Sequence, residues 1–164
     1  MDKVIIFSLT ISLLFAGQTN TIAQDKERNE QFQNTVEIIE QESFIFKAQR
    51  AFPQGGRSVD LTTNYGFIEI SDDSGEARLP FFGRAYSIPY GGNGGIQFSG
   101  TIENVELSRN QEKMRINYSF EVRDRDYYKV NMEISHDGNA YVTIISNNRS
   151  QISYQGTVDR NTDP

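Results

Sequence analysis

The stretch Met114-Arg115-Ile116-Asn117-Tyr118-Ser119-Phe120-Glu121-Val122 decides the fold. Apolar side chains at 114, 116, 118, 120 and 122 alternate with Arg115, Asn117, Ser119 and Glu121, the period-two pattern of a strand with one buried face. Downstream, Tyr128, Val130, Met132 and Ile134 repeat the alternation, and His136-Asp137-Gly138-Asn139 follows with the Asp-Gly pair of a tight hairpin. Ala140 to Ile145 and Ile152 to Val158 complete the series on that side. Upstream, Ile96, Phe98, Gly100 and Ile102 share a face, after which the apolar parity slips to Val105 and Leu107. A slip of one residue predicts a β-bulge or sharp bend near Asn104.

The same period reaches back to Phe44, Phe46 and Ala48, then to Ile68 and Ile70, with Ala77, Leu79 and Phe81 after the turn residues Asp72-Asp73-Ser74-Gly75. About eight strands joined by short polar turns, with no helical crossover between them, predict an all-β antiparallel up-and-down meander. Eight such strands close into a barrel whose interior holds side chains or one small ligand. A two-layer β-sandwich is the alternative architecture.

The chain opens on an uncharged apolar run from Val4 to Ala16, too short for the roughly 20 residues of a membrane span. Small residues at Thr21 and Ala23 predict a signal peptide over residues 1–23, cut before Gln24. The expected location is periplasmic or secreted. A lipid anchor through cysteine is excluded, since the chain has no Cys. Residues 24–42 are polar, and Phe32, Val36 and Ile39 make a narrow stripe at helical spacing, so a short amphipathic helix or a polar leader precedes the β domain of residues 43–159. Residues 160–164 read as a disordered tail. The net charge of −6 disfavours nucleic acid and anionic membranes as partners.

Three stretches break the strand pattern. They are Phe52-Pro53-Gln54-Gly55-Gly56-Arg57-Ser58 running on to Tyr65-Gly66, Leu79-Pro80-Phe81-Phe82-Gly83-Arg84-Ala85-Tyr86 running on to Tyr90 and Gly95, and Ser146-Asn147-Asn148-Arg149-Ser150. With the signal peptide and strand order, they resemble the DUF4251 family of exported proteins from Bacteroidota, over about Glu42 to Val158. The resemblance implies a lipocalin-like barrel and an envelope location. It implies no activity, ligand or catalytic residue. Many members carry a Cys after the apolar run, and this chain departs from them there.

The candidate ligand-binding residues come from these stretches: Arg57, Arg84 and Arg149, whose guanidinium forks suit carboxylates or loop carbonyls, with Asn148 beside them. Tyr65, Tyr86 and Tyr90 add rings suited to stacking on a sugar or lining a cavity. The functional reading of the three Arg is a shared polar cluster at one mouth of the barrel, and the structural reading is that each clamps its own loop or pairs with Asp60 or another acid. The glycines from Gly91 to Gly95 read as a wide turn, because the Lys of a phosphate-binding loop is missing.

No catalytic set is expected. His136 is the single histidine and sits in a turn, Asp72 and Asp73 are turn formers, and Ser58, Ser87 and Ser150 lack a nucleophile elbow. No metal site or cofactor is expected either, with no Cys and one His. The sequence therefore points to a non-catalytic exported domain that binds a small apolar or sugar-like ligand, or alternatively to a structural or protein-interaction module that docks an envelope protein.

Overall fold

The computed structural model describes residues 24–86 and 94–161. The expected signal peptide, Tyr90 and the last three residues lie outside the described residues. A helix, α1, occupies residues 24–40, and nine strands follow. They are β1 (Ser43–Pro53), β2 (Val59–Asp60), β3 (Gly66–Ser71), β4 (Ser74–Leu79), β5 (Ile96–Asn110), β6 (Arg115–Arg123), β7 (Tyr127–Ser135), β8 (Asn139–Ser146) and β9 (Ile152–Arg160). Every pairing is antiparallel, in the order β2-β1-β3-β4-β5-β6-β7-β8-β9, and β1 also pairs with β9. That last pairing closes eight strands into a barrel and rules out the two-layer sandwich. The short β2 is the extra strand, held on β1 through Arg50↔Asp60 and Ala51↔Val59.

Alternation carries through to burial. In β6 the side chains of Ile116, Tyr118, Phe120 and Val122 are buried, while Arg115 and Asn117 are exposed. Phe44 meets Tyr118 edge-on at 5.4 Å, and Phe98 lies 5.3 Å from Tyr128 and 6.2 Å from Phe120. With Phe46, Met132 and Tyr154 also buried, these rings fill the interior. Large apolar side chains thus occupy the space between the strands. Burial also pushes the Tyr118 hydroxyl up to about 12, since its phenolate would lose hydration there.

Two irregularities shape the wall. The register of β1 against β9 shifts between Ala48 and Arg50, which restores Ala51 to the inner face. The register of β5 against β6 shifts between Glu103 and Glu106, and Asn104 there has φ 52, so the parity slip is a bulge. β5 pairs with β4 over Ile96 to Thr101 and with β6 from Ile102 onward. Its first half therefore faces the β6–β7 turn across a gap in the wall.

Helix α1 seats its stripe at one end of the barrel, with Phe32, Val36 and Ile39 buried. The buried Thr35 adds a hydrogen bond from its hydroxyl to the His136 carbonyl at 2.9 Å. Glu40 pairs with Arg109 at 2.5 Å, and Glu37 pairs with Arg160 at 3.1 Å. The last strand includes Arg160, one residue beyond the expected end of the β domain, because Phe44 on β1 pairs with it. No described helix is long and apolar enough to cross a membrane.

Candidate functional site: the open rim of the barrel

Up-and-down connectivity sends alternate connections to opposite ends. The short turns at Asp72-Asp73, at residues 111–114 and at residues 136–138 gather beside α1. The described residues of the three pattern-breaking stretches gather at the other end, with the β6–β7 turn. The second and third of them are tied together through backbone. Ala85 and Arg149 form an antiparallel bridge, the Tyr86 amide donates to the Asn148 carbonyl at 2.7 Å, and the Ser150 amide donates to the Arg84 carbonyl at 2.9 Å. The Arg84 amide donates in turn to Ser150 Oγ at 3.1 Å. Gly83 is required at this crossing, since a Cβ would collide with Ser150 Oγ and the Phe81 ring. The Tyr154 hydroxyl, buried inside, donates to the Pro80 carbonyl at 2.7 Å and holds the start of the second stretch down. Burial raises the pKa of that hydroxyl.

Two clefts open on this rim. The larger, about 460 Å³, lies at the gap in the wall, between Glu76, Arg78 and Ser99 on one side and Asp124, Arg125 and Arg149 on the other. The smaller, about 400 Å³, is lined by Asn64, Tyr65, Arg78, Phe81, Phe82 and Gln97 among others. Arg78, Gly95 and Gln97 belong to both, so the clefts adjoin. The Ser99 amide, on the half of β5 that β6 leaves unpaired, donates to Asp124 Oδ2 at 3.3 Å across the gap. Glu76 is held by Arg78 at 3.1 Å.

The candidate residues divide sharply. Arg149 is 7% exposed, donates from Nη1 to the Gly94 carbonyl at 2.6 Å and lies 5.2 Å from the centre of the Phe81 ring. It holds the β4–β5 connection rather than its own loop, and it also lines the larger cleft. Tyr65 is 77% exposed at the smaller cleft. Arg57 and Arg84 are exposed and line neither cleft, so the three guanidiniums form no common cluster. The rim stretches meet through backbone hydrogen bonds, which places the Arg84 side chain outward. Tyr86 is 71% exposed and Asn148 half-buried, and both contribute main-chain atoms to the bridge.

Sequence reading missed Arg78, Gln97, Asp124, Arg125 and Tyr128. Arg78 and Gln97 read as solvent-side positions of ordinary strands, and Asp124-Arg125 as an ordinary turn. The lengthening of β5 past its pairing with β4 was the available signal. Tyr128 is buried beside Arg149, and burial first, then the charge of Asp126, raises its pKa against the opposing pull of Arg149. Among the described residues no group of His, Asp and Glu side chains converges as a metal site.

The family model described as "Domain of unknown function (DUF4251)" matches residues 26–158. The chain belongs to the DUF4251 family. Among solved structures, the crystal structure of a DUF4251 family protein from Bacteroides eggerthii DSM 20697 superposes with a TM-score of 0.62 at 21% identity, covering 79% of this chain and 87% of that one. At that identity the likeness supports the DUF4251 barrel as a fold. The comparison with curated proteins found no match.

Proposed function

We propose that this DUF4251 protein is an exported, non-catalytic binding module that takes a sugar-like ligand at the open rim of its barrel. The observation that carries the reading is the smaller cleft, where the exposed rings of Tyr65 and Phe82 stand beside Asn64, Arg78 and Gln97. Apolar ring faces next to amide and guanidinium donors suit a pyranose, whose C–H face stacks while its hydroxyls hydrogen-bond. The large apolar side chains buried inside favour a ligand at the rim over an apolar one held within the barrel. A DUF4251 barrel with this rim is a scaffold presenting loops, and loops on a rigid scaffold are where binding residues concentrate.

Probing the full chain on an array of oligosaccharides tests the reading. Binding is expected to a restricted set of glycans and to weaken about three- to tenfold on Tyr65→Ala or Phe82→Ala, the range an aromatic contact contributes. Uniform absence of binding across the array removes the reading. Export is tested separately, by sequencing the N-terminus of the protein recovered from its host. A start at Gln24 is expected, and a start at Met1 overturns it.

A further inference from the structure

The larger cleft is lined by a buried cation, Arg149, that forms no ion pair with a carboxylate among the described residues. Arg149 is 7% exposed, and its contacts among the described residues are the Gly94 carbonyl, the Phe81 ring and the neighbouring Tyr128. None of these is anionic at neutral pH. A guanidinium taken out of water is costly unless an anion or a full set of acceptors meets it. Of the two carboxylates lining the same cleft, Glu76 pairs with Arg78, while Asp124 accepts from the Ser99 amide and keeps its charge without forming an ion pair with Arg149. Residues 87–93, Ser-Ile-Pro-Tyr-Gly-Gly-Asn, contain no Asp or Glu that could serve. Arg125, exposed on the same cleft, has no carboxylate partner among the described residues either. Three guanidiniums, of Arg78, Arg125 and Arg149, and two carboxylates, of Glu76 and Asp124, therefore line one cleft, which carries a net positive charge in a chain whose net charge is −6.

We infer that the ligand is an acidic sugar, its carboxylate bound by Arg149 and Arg125 in the larger cleft and its ring set against Tyr65 in the smaller one. The inference rests on the sugar-binding reading and adds the charge of the ligand. A planar guanidinium fork matches a carboxylate in geometry, and the low solvent access at Arg149 strengthens the attraction relative to a surface pair. The clefts adjoin at Arg78, Gly95 and Gln97, so one short saccharide can span both.

The test is an NMR titration of the full 15N-labelled chain with trigalacturonate and, in parallel, with its uncharged counterpart galactotriose. Trigalacturonate is expected to bind at least about tenfold more tightly, to move the Arg125 and Arg149 Nε signals, and to lose that advantage as salt screens the charges. Arg125→Gln, at an exposed position, should remove most of the difference between the two saccharides. Arg149→Lys keeps the charge and loses the fork, and should weaken trigalacturonate binding more than galactotriose binding. Equal affinity for the two saccharides, insensitive to both substitutions, overturns the inference and leaves the sugar reading standing. No movement of any rim signal by either saccharide overturns both.

Discussion

The two ends of the barrel are built from the same alternating strands and finished in opposite ways. At the α1 end the connections are short, and the Phe32–Val36–Ile39 stripe of the helix closes the core. At the rim the β1–β3 and β4–β5 connections are long, and the second is held to the β8–β9 connection by main-chain bonds such as Tyr86 to Asn148 and Ser150 to Arg84. One end is sealed by apolar burial, with the polar face of α1 left to solvent. The other is held by hydrogen bonds, each net about 0.5–1.5 kcal/mol, and keeps exposed rings and charges in place for contact.

Substitutions should separate the two ends by magnitude. Phe32→Ala is expected to cost the most, about 3–5 kcal/mol, because a fully buried ring would leave a cavity beneath the helix. Chemical denaturation measures it, and a loss under about 1 kcal/mol would mean that α1 does not seal the core. Tyr154→Phe is expected to cost about 1–3 kcal/mol, since the Pro80 carbonyl would lose its buried donor at 2.7 Å. Hydrogen exchange should show the resulting opening around Pro80 and Phe81 before the α1 end loosens.

Alkaline pH offers a third comparison. Burial raises the pKa of Tyr118, to about 12, and of Tyr154. Above the unfolded tyrosine value of about 10 the unfolded chain loses those protons while the folded one retains them, so stability must fall as pH rises. The stabilisation is fully present below about pH 10 and is lost towards the folded value of Tyr118. Denaturation midpoints across this window should decline, and Tyr118→Phe should flatten the slope. An unchanged slope in that variant would remove Tyr118 as the cause. The smallest effect belongs to the rim surface: Tyr65→Ala should change stability by no more than about 0.5 kcal/mol, because its ring is 77% exposed. A larger loss would make Tyr65 part of the frame and weaken its assignment to ligand contact.

The legibility of these ends in the sequence also differs. The hairpins beside α1 were readable because their turns demand particular residues: Asp72 takes φ 50 and Gly138 φ 78 in the turns read from Asp-Asp and Asp-Gly. The bulge was readable from the parity slip alone, and Asn104 indeed carries the positive φ. β2 was missed, since two residues inside a Gly- and Thr-rich stretch leave no periodic trace. At the rim, the three unusual stretches were recognised and do share one end, yet their composition did not tell which arginine is buried. Arg57, Arg84 and Arg149 have similar neighbours in sequence and differ in burial because only Arg149 falls where the β8–β9 connection crosses the gap beside Tyr128.

By itself, then, the sequence determined the strand alternation, the turn positions, the bulge and the apolar stripe of the helix, because each is set by residues within a few positions of one another. Only the tertiary structure decided that β1 meets β9 and closes the sheet, that the interior is full, and that β5 changes partners at Ile102 and opens a cleft in the wall. These depend on twist, shear and side-chain volume summed around the whole barrel, quantities to which every strand contributes and which no local pattern records.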